Sequence, residues 1–191
     1  MNTAVPQQLV ELLDAHVPEG AEEIHCLEVI RTTMTQLDRP LSRDQAQAHF
    51  TASALVIDIE AGRVALLHHA KLKKWLQPGG HIESIDGGLI HRAALREAKE
   101  ETGCDVRLYH PYPSLLDVDV HLIPARAEEA AHHHLDLRFL VVAENPESLS
   151  LNVTESFAVQ WFSFDAAISL AEDAALRRLI RKGLGQWESA M

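Results

Sequence analysis

Hydrophobic and polar positions change period several times along the chain. From Val5 to His16, Leu9, Leu12 and Leu13 fall on one helical face, and Val17-Pro18-Glu19-Gly20 ends the pattern. Ile24, Leu27, Ile30 and Met34 predict a second helix over 21–37, stopped at Arg39-Pro40, and Ser42 and Asp44 predict a capped short helix reaching about Ala48. From Phe50 the period shortens, and TASALVIDIE and RVALLHH read as a hairpin across Ala61-Gly62. Helical composition returns over 88–102, rich in Ala, Leu, Glu, Lys and Arg and stopped by Gly103, where a left-handed cap is wanted. Two alternating segments follow. In LLDVDVHLIPA, Leu116, Val118, Val120 and Leu122 oppose Asp117, Asp119 and His121; in HHHLDLRFLVVA, His132, His134, Asp136 and Arg138 oppose Leu135, Leu137 and Phe139. Val159–Phe164 reads as a further strand, and 164–187 as two helical pieces broken near 171–173.

The 88–102 helix carries the chemistry. At about 100° per residue, Glu97, Glu100 and Glu101 share one stripe, since residues three and four apart are helical neighbours. A solvated acidic face is the ordinary reading of such a stripe. Two features oppose it: Ile90, Ala93 and Ala94 share the arc and call for cover by protein, and Glu97 and Glu101 form a repulsive i, i+4 pair. A hard divalent cation converts that repulsion into coordination, because Mg²⁺ takes carboxylate oxygens together with substrate phosphates.

Gly80, Arg96, Glu97, Glu100, Glu101 and Gly103, within the run REAKEETG, resemble the Nudix box, the signature of hydrolases that cleave nucleoside diphosphates linked to another moiety. The match departs from the family pattern in front, where Asp86 stands in place of a Glu and the loop before Arg96 is about two residues longer. WLQPGGH before the box and HxHxDxRF after it resemble a bacterial subgroup with an N-terminal segment. The resemblance implies an α/β/α sandwich with a mixed sheet, preceded by a helical arm over 1–48, the catalytic domain being 49–191. It implies Mg²⁺ (or Mn²⁺) held by Glu97, Glu100, Glu101 and the carbonyl of Gly79. Arg96 then supports Glu100, and Asp86 and Glu155 are further acidic candidates. The polar strand face, with Asp119, His134, Asp136 and Arg138, is expected to bind substrate, with His133 on the opposite face. Lys71, Lys73 and Lys74 suit either a solvated loop or phosphate contact, and Trp75 either the core or a cleft wall.

Composition narrows the partners. A chain of 191 residues with 47% hydrophobic content has enough material for one domain with an appendage. A formal net charge of -11 argues against nucleic-acid polymers, which need a basic footprint, although metal ions let an acidic enzyme bind polyphosphate. Two cysteines exclude a disulfide framework. With no signal-like start and no membrane-length apolar run, a cytoplasmic location is expected. The expected partner is a small phosphoanhydride, with a homodimer through the arm as a further option. A non-catalytic nucleotide sensor of the same fold, and a hydrolase of non-nucleotide diphosphates, are the rival functions.

Overall fold

Eleven consecutive buried residues, Ala48–Asp58, form β1, the axis of the sheet. The computed structural model describes residues 5–125, 130–151 and 156–191. Along nearly its whole length β1 pairs in parallel with β7 (His132–Ala143), from Ala48 opposite His133 to Ile57 opposite Val142. Its other edge is shared antiparallel by β2 (Arg63–His69), opposite Val56–Asp58, and β4 (Gly79–His81), opposite Thr51–Ser53. β3 (Trp75–Leu76) and β8 (Ser156–Ser163) pair with β2, while β5 (Val106–Leu108) and β6 (Asp117–Ile123) pair with β7. The helices, in chain order, are α1 (Gln7–Ala15), α2 (Gly20–Met34), α3 (Ile90–Thr102), α4 (Phe164–Leu170) and α5 (Ala174–Glu188).

Side chains alternate across a strand, so β1 and β7 divide their residues between two cores. Phe50, Ala52, Ala54 and Val56, with Leu135, Leu137, Phe139 and Val141, pack against Ile90, Ala93, Ala94 and Ala98 of α3. Leu55, Ile57, Leu140 and Val142 pack instead against Phe164 of α4 and Leu176, Leu179 and Ile180 of α5. The result is the expected α/β/α sandwich around a mixed sheet. The β6–β7 pairing and the break between α4 and α5 also follow the sequence pattern.

The arm packs on this domain. Leu9, Leu12 and Leu13 of α1 and Leu27 and Ile30 of α2 belong to the same core as α3. A polar tie reinforces the apolar one: Glu23, fully buried, is reached by His16 Nε2 at 2.8 Å, by the Glu19 N–H at 2.6 Å and by Lys182 Nζ of α5 at 2.8 Å. Burial by itself would raise the Glu23 carboxyl, but the bonds from His16 and Lys182 outweigh it and lower the pKa to about 2.

The short helix expected over 42–48 is a correction. Ser42 instead closes turns, its carbonyl accepting from Gln45 N–H at 3.0 Å and its hydroxyl from Asp44 N–H at 3.3 Å. The Phe50 N–H then bonds Pro40 O at 2.8 Å, and the chain enters β1. Local serine bonding competes with helix as readily as it caps one. The second helix likewise stops at Met34, short of 37.

Candidate active site

The glycine-bearing strand β4 is pinned on both sides. Ala54 donates its N–H to Pro78 O at 2.9 Å, and Gly79 donates its own to Glu101 Oε2 at 2.9 Å. That second bond sets the Gly79 peptide against the acidic stripe of α3. At Gly80 a Cβ would come within 2.6 Å of Glu97 Oε1, so any larger residue here would displace the Glu97 carboxylate. Behind the stripe, Gly103 ends α3 at φ 72° and donates its N–H to Lys99 O at 2.8 Å. The boundaries differ from expectation only at the start, Ile90 rather than 88.

Arg96 organises the polar side of α3. Its Nε and Nη2 grip the two oxygens of Asp86 at 3.0 Å each, its Nη1 reaches Glu97 Oε1 at 2.8 Å and Glu100 Oε2 at 3.1 Å, and its Nη2 also donates to His81 O at 2.9 Å. The pairing with Glu100 is the expected one. The Asp86 bonds, against the smaller effect of burial and with help from Glu97, raise the guanidinium pKa further, so its charge is permanent. Asp86, one of the further acidic candidates, thus has both carboxylate oxygens engaged by Arg96. It is buried in a 3₁₀ turn, Ser84–Asp86, with Oδ2 also accepting the Glu83 N–H at 2.7 Å. The longer front loop is taken up by this turn, and its carboxylate faces the arginine.

Glu101 is buried, the Glu97 side chain is 14% exposed and that of Glu100 54%, so the stripe runs from the protein interior to solvent. Three carboxylates beside a glycine backbone are an all-oxygen donor set, the kind that suits Mg²⁺ or Mn²⁺ and not a thiophilic ion.

The polar strand face is brought together as expected, with Asp119 opposite Asp136 and His121 opposite His134. Direct grip of substrate by Arg138, Asp136 and Asp119 is nevertheless not what the geometry offers. Arg138 is 4% exposed, and it bonds Asp136 at 2.9 Å, Asp119 at 3.0 Å and Asp117 at 3.4 Å. Asp136 also accepts the hydroxyls of Thr51 at 3.0 Å and Ser53 at 2.8 Å, and Asp117 is gripped by Arg178 of α5 at 2.6 and 3.0 Å. Burial would lower the Arg138 pKa, but Asp119, Asp136 and Asp117 more than reverse that. For Asp119, burial is overcome by His121 and Arg138, and its pKa falls to about 2. This is an internal ion cluster that locks β1, β6, β7 and α5 together.

His134 is half-buried on this face, and His133, one residue before it, is exposed. Around His134 the structure gathers His132, expected on this face, at 5.2 Å between centroids, and two rings that sequence reasoning missed, His49 at 4.8 Å and His81 at 5.2 Å. The alternation His49, Thr51, Ser53 was the available signal, masked because β1 is buried throughout. Lys71, Lys73 and Lys74 are exposed, with Lys74 paired to Glu172 at 3.2 Å. Trp75 packs edge-on against Phe162 at 4.9 Å. Glu155 lies outside the described residues.

Known proteins match this arrangement at the level of family and fold. The NUDIX domain family model matches residues 48–182. Among solved structures, the chain is similar to a Nudix-family hydrolase from Clostridium perfringens, at 25% identity and TM-score 0.50, covering 75% of this chain and 98% of that one. It shares its fold with the E. coli dihydroneopterin triphosphate pyrophosphohydrolase (19% identity, TM-score 0.54, 72% and 95% covered). A C. elegans Ap4A hydrolase has the same fold (20% identity, TM-score 0.51, 74% and 98% covered). No curated protein sequence matches significantly. No helix among the described residues is long and apolar enough to cross a membrane. A family model spanning well over half the chain, on a glycine strand and carboxylate helix placed as described, means that the chain belongs to the Nudix family and is a Nudix-type pyrophosphohydrolase.

Proposed function

We propose that this enzyme uses Mg²⁺, with Mn²⁺ as a substitute, to hydrolyse a phosphoanhydride bond in a nucleoside diphosphate linked to another moiety. The observation that carries this reading is the Arg96-organised stripe of Glu97, Glu100 and Glu101 set against the Gly79–Gly80 strand. Glu97, Glu100, Glu101 and the Gly79 carbonyl hold the cation. When bound there, it supplies positive charge against the phosphate oxygens and activates water. Arg96 is a positioning residue. Its contacts to Glu97 and Glu100 hold two carboxylates at a spacing their mutual repulsion would otherwise widen. Glu101, bonded to the Gly79 N–H, couples the helix to the strand, so the backbone beside the phosphates and the stripe form one unit.

The test is a panel of nucleoside triphosphates, nucleotide sugars, dinucleoside polyphosphates, ADP-ribose and non-nucleotide diphosphates, with phosphate and pyrophosphate release followed in Mg²⁺ and after exhaustive chelation. The expected outcome is turnover of one nucleotide class that chelation abolishes. Glu100→Gln and Glu101→Gln should each keep the fold and lower kcat on the order of 10²-fold, the scale for losing one preorganised electrostatic group. Full turnover after chelation, or near-normal kcat in both variants, would remove the stripe's catalytic role. Binding of a nucleotide without cleavage of any panel member would favour the sensor.

A further inference from the structure

A second donor cluster, of opposite chemical character, lies on the polar strand face. His49 of β1 and His132 and His134 of β7 each offer a ring nitrogen, and the three nitrogens lie within 4.8 Å of one another. His49 and His132 are buried and His134 half-buried. Register explains the grouping: parallel pairing sets His49 beside His134, and period-two alternation puts His132 on the same face. His49 and His132 are stacked at 4.9 Å.

From this geometry we infer a second metal centre, in which His49, His132 and His134 ligate a borderline divalent transition ion of the Zn²⁺ class. One pair already has the right separation. His132 Nε2 and His134 Nε2 are 3.3 Å apart. Two imidazole nitrogens at tetrahedral positions around Zn²⁺, at about 2.0–2.1 Å each, would be about 3.4 Å apart. Orientation fits as well. His132 Nδ1 donates to Ala130 O at 3.0 Å, which fixes the tautomer and turns the lone pair of Nε2 toward His134. His121, whose Nδ1 is 3.1 Å from Asp119 Oδ2, and His81 border the cluster.

Ligation calls for neutral rings, each presenting one nitrogen lone pair to the ion. Nitrogen donors select Zn²⁺ and its neighbours, whereas the carboxylate stripe selects Mg²⁺. One chain thus presents two sites that discriminate between ions by donor type. They touch through β4, because the His81 ring stands beside the histidine cluster and the His81 carbonyl is held by Arg96.

The rival account of the 3.3 Å contact is a simple N–H···N hydrogen bond between His134 and His132, and metal titration separates the two. With the full chain in excess Mg²⁺, Co²⁺ is added as a spectroscopic probe and Zn²⁺ stoichiometry is measured by equilibrium dialysis. The expected result is one tightly held ion per chain, with the visible absorption of tetrahedral Co²⁺ that Zn²⁺ displaces. Zn²⁺ should also raise the melting temperature. His134→Gln, at the most exposed of the three positions, should weaken Zn²⁺ binding at least tenfold and remove the absorption band, and His132→Gln should do the same. Glu100→Gln should leave both unchanged. Circular dichroism identifies any variant that fails to fold, and His134→Gln alone then decides. Absence of the Co²⁺ band in the native protein, native-like Zn²⁺ affinity in folded His134→Gln, or loss of Zn²⁺ binding in Glu100→Gln would overturn the centre.

Discussion

Arg96 illustrates how much one residue can organise. Three carboxylates and a backbone carbonyl converge on a single guanidinium, and its planar fork is what allows Asp86 to be held from two nitrogens. Lysine offers a point charge and cannot reproduce that geometry. Arg96→Lys should therefore lower kcat by about 10- to 10²-fold, the scale of a small misplacement of catalytic groups, with the larger effect on kcat than on KM. Asp86→Asn, remote from the stripe itself, should move kcat in the same direction by a smaller factor. Steady-state kinetics with melting curves checks both, and unchanged kcat in folded Arg96→Lys would remove its positioning role. At this scale the sequence was legible where the partner is close in the chain, as with Arg96 and Glu100, one helical turn apart. It was not legible for Arg138, because no local pattern shows that Asp117, Asp119 and Asp136 all converge on it. Strict alternation gave its face correctly, but an arginine on a polar face looks the same whether it awaits phosphate or is already satisfied.

At the level of elements, the N-terminal helices are part of the core. Leu13 is 1% exposed within the cluster that also holds α3 and β7, so Leu13→Ala should cost about 2–5 kcal/mol in urea unfolding, as for other large-to-small core substitutions. A cost below about 1 kcal/mol, in the range of surface substitutions, would mean that α1 docks only loosely. The Glu23 tie gives the arm a pH dependence. Its carboxyl has a lower pKa in the folded protein, about 2, than its ordinary value of 4.5. The stabilisation is therefore complete above about 4.5 and is lost as pH falls toward 2. The stability difference between the native protein and Glu23→Gln should be constant near neutrality and shrink across that acid window. A difference that persists unchanged at pH 2 would place the carboxylate outside the α2–α5 tie. Elements with a clear period, α1, α3, β6 and β7, were legible in the sequence. The segment 42–48 was not, since Ser and Asp close turns as well as they cap helices. The three-residue strands β4 and β5 are too short to show a period at all, and it is their pairing partners that make them strands.

For the whole molecule, the mixed sheet could be anticipated only through the family resemblance, because hydrophobic pattern does not say which strands are neighbours. The parallel pairing of β1 and β7 has a kinetic consequence. Thr51 and Asp136 meet across 85 positions of sequence, and the ten-residue register between these strands must close a loop containing β2, β4, α3 and β6. Closing so long a loop costs chain entropy before its contacts repay it, and non-local pairing of this kind slows folding. The α3 helix can flicker into shape on its own sequence, but β4 has nothing to pair with until β1 is laid down. During synthesis both lie upstream of β7, so a nascent chain can hold the glycine strand and the acidic helix while the central parallel seam is still missing. The central seam is in this sense closed only after the stripe exists, by a strand that donates nothing to it.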